Sequence, residues 1–154
     1  MNARIQIMLH SRQLEVSPAA EGEVALWRKA VQSLTSSVVP GLDPDARFTL
    51  TYQAGLQAAM ALVRAAGFRV RGEAHHHHTF AAVAALELGE SSDAARDLNV
   101  IRRKRHGAIY DWETHLDEEQ VDELRAAARR LFTHAQTWLR TTHPGIQPLP
   151  PNLS

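Results

Sequence analysis

The chain has 154 residues, 44% of them hydrophobic and 22% charged, the composition of one globular domain with a core and not that of a disordered chain. Lysine plus arginine and aspartate plus glutamate each total 17, which excludes nucleic-acid binding through bulk positive charge and leaves only a local patch to provide it. The absence of cysteine excludes disulfides, zinc–thiolate sites and cysteine nucleophiles, and no apolar run nears the roughly 18–20 residues of a membrane span, so a cytoplasmic protein without membrane contact is expected.

Met1 to His10 lacks the basic start, apolar middle and small-residue cleavage site of a signal peptide. Ile5, Ile7 and Leu9 alternate as in a strand, while Ile5, Met8 and Leu9 suit a helix. A lone strand would have nothing to pair with, so a short helix is predicted. Ser17-Pro18 reads as an N-cap followed by proline at the first helical position. Val24, Trp27, Val31, Leu34 and Val38 then recur at spacings of three and four, one face of a helix that Pro40-Gly41 ends. Asp43-Pro44 repeats the start signal, with Phe48, Tyr52, Leu56, Met60 and Val63 as the apolar stripe and Gly67 as the stop. A shorter third helix is predicted from about His76 to Leu88, followed by Gly89. Ser91 or Ser92 would cap a fourth helix reaching Tyr110. The fifth has the clearest start, because Asp117 and Gln120 form a capping box and Leu116 with Val121 a hydrophobic staple. Pro144, Pro148, Pro150 and Pro151 mark 144–154 as an extended, mobile tail outside the core, leaving 1–143 as the domain. The expected fold is all-α, an up-and-down bundle of four to five helices with short connections.

The fourth predicted helix carries the candidate chemistry. Ala94, Leu98, Ile101, Ala108 and Ile109 share one apolar stripe, and Arg105 falls in the middle of it. Arg102 lies at the edge, and Asn99, His106 and Tyr110 line up beside it at i, i+7 and i+11. A guanidinium aimed at a core is costly unless it is paired or faces a cleft. Two readings follow. Arg105 snorkels to an exposed edge or meets a carboxylate from a neighbouring helix. Alternatively Arg105 and Arg102 hold a phosphate, His106 exchanges a proton and Tyr110 donates a hydrogen bond.

A long second helix ends in Ala65-Ala-Gly-Phe-Arg-Val-Arg-Gly72, a histidine-bearing helix start follows at His75 to Thr79, and an arginine-rich helix closes on Arg102-Arg-Lys-Arg-His-Gly-Ala-Ile-Tyr110. In that order these elements resemble the HEPN superfamily (higher eukaryotes and prokaryotes nucleotide-binding domain) over about residues 14 to 140. They are similar to an actinobacterial-type branch whose fourth helix usually reads Arg-Arg-x-Arg-Asn-x-x-x-Tyr. The resemblance implies a homodimer through the fourth helix, with a composite cleft that binds RNA or a nucleotide. In active members an arginine and a histidine four to six residues later cleave RNA without metal, arginine steadying the charge that develops on phosphate. Other members bind RNA or nucleotides, or partner a nucleotidyltransferase in toxin–antitoxin pairs. Arg105 matches the motif arginine, His106 takes the usual asparagine place, and Tyr110 stands where an active member has histidine. A metal-independent endoribonuclease here would therefore have an incomplete motif, with His106 as the substitute.

His75 to His78 invite a metal reading, but on a helix only His75 and His78 share a face, so a capping or interface role is preferred. With no glycine-rich phosphate loop, Ser–His–Asp elbow or paired carboxylates, conventional hydrolase and NTPase readings have little support. Neither a cofactor nor a metal is expected. The competing reading is a non-catalytic, dimeric protein-interaction module. The surroundings of Arg105 separate the two: an open cleft favours RNA, and a carboxylate from its own chain sealing the arginine favours the module.

Overall fold

The computed structural model describes residues 2–18, 22–71, 75–110 and 115–153, and for 75–77 and 106–110 the backbone alone. The described residues form six α-helices and one two-stranded antiparallel sheet: α1 (Ala3–His10), β1 (Leu14–Val16), α2 (Gly22–Ser36), α3 (Pro44–Ala65), β2 (Phe68–Val70), α4 (His75–Ala85), α5 (Glu90–Tyr110) and α6 (Glu118–Leu139). The all-α bundle expected from the periodicity is present, with a small β ribbon added.

The central element is α3. Asp43 caps it by accepting from the Ala46 N–H at 2.8 Å, with Pro44 in the first turn, as the sequence signal requires. Half of its buried residues are alanine or glycine: Ala54, Gly55, Ala58, Ala59 and Ala61. Small residues let neighbouring helices come close, and α3 packs against α2, α4 and α6 and touches α5. A methyl group built on Gly55 would lie 3.7 Å from Leu98 Cδ1 of α5 and 4.0 Å from Ala128 Cβ of α6. The large core side chains fill the space around this helix, Trp27 meeting Phe132 at 5.4 Å and Tyr52 meeting Phe80 at 6.0 Å between ring centroids.

Helix α1 confirms the short N-terminal helix. Asn2 caps it through the Ile5 N–H (3.0 Å) and ties it to α4 by donating to the Ala85 carbonyl (2.6 Å). The strand that follows corrects two expectations. Leu14, Glu15 and Val16 pair with Val70, Arg69 and Phe68, so a strand near the N-terminus does have a partner, supplied by the turn after α3. The Ser17 N–H donates to the Gly67 carbonyl at 2.8 Å, extending that pairing. Ser17-Pro18 is thus engaged by the ribbon, and α2 begins at Gly22 instead.

Ser91 and Ser92 lie inside the first turn of α5 and do not precede it. Ser92 Oγ still joins two helices, accepting from the Leu88 N–H and donating to the Val83 carbonyl, both at 2.7 Å. At α6 the capping box of Asp117 and Gln120 forms as read, and Leu116 and Val121 are both buried.

The C-terminal segment departs most from expectation. Ile146, Leu149 and Leu153 are buried in the same core as the helices, and a 3-10 turn runs over Pro151–Leu153. The Trp27 indole N–H donates to the Gln147 carbonyl at 2.7 Å, and the Leu149 N–H donates to Gln136 Oε1 at 2.8 Å. His143 Nε2 lies 2.9 Å from Oε1 of Glu23, a carboxylate only 1% exposed. The prolines stop a helix here but do not release the segment, because three apolar side chains at suitable intervals find a groove of the bundle. The expectation of an extended tail outside the core is overturned.

Candidate functional site

The candidate face is the C-terminal half of α5 where it runs beside α6. Ala94, Leu98 and Ile101 bury against the bundle, following the predicted stripe, and Ala95 is buried beside them. One turn up, Arg130 of α6 clamps the two helices. Its Nε and Nη2 donate to Glu90 Oε2 at 3.0 and 2.9 Å, and its Nη1 donates to Asp97 Oδ2 at 2.9 Å. The hydrogen bond to Glu90 chiefly raises the Arg130 pKa, helped by the nearby charges of Asp97 and Asp93.

The level of α6 is fixed at its start. Asp45, in the first turn of α3, accepts from the Leu116 N–H (2.9 Å) and faces His115 Nδ1 (3.2 Å). The backbone N–H, with His115 adding to it, lowers the Asp45 pKa below the ordinary carboxylate range. Arg47 and Glu118 form a further hydrogen-bonded ion pair. These contacts set the register that brings Glu123 of α6 opposite Arg105.

Arg105 Nη2 lies 3.6 Å from Glu123 Oε2, with the side chains 25% and 44% exposed. Of the two readings open for this arginine, the structure gives the one in which it meets a carboxylate of a neighbouring helix of its own chain. The pair is open to solvent and not sealed. Arg102 is half-buried and turned along its own helix, its Nε donating to Asn99 Oδ1 at 3.0 Å. Arg103 and Lys104 are exposed. The side chains of His106 and Tyr110 lie outside the described residues, so the face is built here from Arg102, Arg103, Lys104 and Arg105 with Asn99 and Glu123.

Sequence reading missed Glu123. It lies on the polar side of α6 beside the buried Leu124, and nothing in its own neighbourhood marks it; only the α5–α6 register makes it a partner for Arg105. Between the helices runs an open groove of about 410 Å³, with Val100, Ile101, Ala126 and Ala127 along it and Lys104 and Glu123 among its charged residues.

The arrangement suits anion binding. An exposed ion pair is worth about 0–1 kcal/mol, less than a charge-assisted, bidentate arginine–phosphate contact, so a phosphate can displace Glu123. An arginine held by its own glutamate is not organised in advance for a transition state.

Among the described residues, no group of three or more His, Asp or Glu is placed to hold a metal ion. His78 is half-buried, and the side chains of His75, His76 and His77 lie outside the described residues. No described helix is long and apolar enough to cross a membrane. The chain matches no family model, no curated protein and no solved structure.

Proposed function

We propose that this chain is a HEPN-type RNA- or nucleotide-binding protein whose α5 face binds phosphate groups without cleaving RNA. The observation that carries the reading is the cationic turn Arg102–Arg105, with Arg103 and Lys104 exposed on a chain of zero net charge. The Arg105–Glu123 pair supports binding over cleavage, because the arginine must exchange one anion for another before it can act. The degenerate motif, with Tyr110 in the histidine place, points the same way. In this reading α5 also forms the homodimer contact, and a toxin–antitoxin or defence setting is the one the resemblance suggests.

The test is anisotropy of a labelled single-stranded RNA, with a parallel cleavage assay on mixed RNAs in EDTA. Wild type is expected to bind and not to cleave. Arg103→Ala with Lys104→Ala should weaken binding and flatten its salt dependence, each lost phosphate contact lowering the slope of log K against log salt by about one. Glu123→Gln, which frees Arg105, should tighten it. Cleavage lost in both Arg105→Ala and His106→Ala would establish a nuclease instead.

A second reading is favoured by the Arg105–Glu123 pair and by Val100, 39% exposed beside the α5–α6 groove. Here the face docks a protein, a nucleotidyltransferase or another enzyme, and has no chemistry of its own. Wild-type protein that binds no RNA at low salt, with Glu123→Gln equally inert, would select it.

A further inference from the structure

A second cavity lies away from α5, where the start of α2, the end of α3, β2 and α4 meet. Its volume is about 430 Å³, within the roughly 300–1,000 Å³ usual for small-molecule sites. Leu26, Met60, Val63 and Val70 give it an apolar wall, and Arg64 and Arg69 bring two guanidinium groups to it.

Both arginines lack an acidic partner among the described residues. Arg64 Nε is buried and makes no hydrogen bond. Its Nη2 packs over the first residue of α2, 3.3 Å from where a side chain on Gly22 would begin, so the absence of a Cβ leaves room for the charged head. Arg69 stands opposite Glu15 in the ribbon, but Glu15 pairs with Arg71 at 3.3 Å, leaving Arg69 exposed and unclaimed. A guanidinium without an acidic partner gains charge-assisted hydrogen bonds when an anion binds beside it. The apolar wall beside it excludes a simple hydrated ion as the best occupant.

We propose that this cavity is a binding site for a small amphipathic anion, its carboxylate or phosphate head on Arg64 and Arg69 and its apolar body against Leu26, Met60, Val63 and Val70. The site is separate from the α5 face and does not depend on the RNA reading.

The experiment is isothermal titration calorimetry on the full chain with decanoate and decyl phosphate below their micelle concentrations and decanol below its solubility limit. At least one of the two anions should bind one per chain and about tenfold or more tighter than decanol, the range of one charge-assisted hydrogen bond. The tighter anion identifies the head group. Arg64→Met, which keeps the stem and removes the charge, should abolish the preference for the anion while leaving decanol binding in place. Circular dichroism checks its folding. If that variant does not fold, Arg69→Met carries the test, since its side chain is exposed, with an expected loss of roughly threefold for a more solvated contact. Equal affinity for anions and decanol, binding unchanged in Arg64→Met, or no binding of any probe would overturn the proposal.

Discussion

Leu153→Ala tests the docking of the C-terminal segment. Leu153 is 2% exposed, the last of the described residues, in the 3-10 turn that begins at Pro151. Truncating a core leucine to alanine costs about 2–5 kcal/mol, the spread depending on how far the site can collapse. The segment docks through Ile146, Leu149 and Leu153 and can lift away as a unit, which caps the loss at its docking free energy, so about 2 kcal/mol is expected. For a chain of this size each kcal/mol moves Tm by about 2–4 °C, which gives a fall of roughly 4–8 °C. Thermal unfolding followed by circular dichroism measures it. Intrinsic fluorescence gives a local readout, because lifting the segment removes the Gln147 carbonyl from the Trp27 indole N–H. The double change Leu149→Ala with Leu153→Ala should cost less than the sum of the singles, since a segment already detached has little more to lose. A Leu153→Ala protein melting within about 1 °C of wild type, with fully additive behaviour in the double, would refute the reasoning and return 144–154 to a mobile tail.

Three further predictions concern the contacts that set the α5–α6 register. Asp45 has a depressed pKa in the folded chain, so its stabilising contribution is present above the unfolded aspartate value and is lost as pH falls from there through the folded value. The stability gap between wild type and Asp45→Ala should therefore be full at pH 6 and shrink below roughly pH 4, as urea midpoints at each pH will show. Arg130→Ala should cost about 1 kcal/mol or less at low salt, because the clamp on Glu90 and Asp97 is partly exposed, and the difference should narrow at 0.5 M salt. Asp117→Ala removes the side-chain acceptor of the Gln120 N–H, leaving the backbone N–H of residue 117 on Gln120 Oε1, and should lower stability by about 1 kcal/mol, measured by chemical denaturation.

Where one local pattern is enough, the sequence reading and the structure agree. The caps at Asp43 and Asp117 depend on residues within three positions, and the stripes of α2 and α3 depend on spacing along one helix. Both are decided by short-range geometry, which a sequence states directly. The cationic turn Arg102–Arg105 is legible for the same reason.

Tertiary structure alone decided what each of these residues meets. The β1–β2 pairing joins residues more than fifty positions apart, and Leu14–Val16 has no strand signal until Phe68–Val70 is brought alongside. The proline-bearing segment reads as a loose tail by composition, yet Ile146, Leu149 and Leu153 bury because the bundle offers them an apolar surface. Glu123 and Arg105 became partners through the register of two helices, itself pinned at Asp45 and Arg130. Arg64 and Arg69 flank the turn after α3, and only the meeting of α2, α3, β2 and α4 gives them a shared cavity. Periodicity fixes which face of a helix is apolar, whereas the partner of a charged group is fixed by distances between elements, and those exist only once the chain has folded.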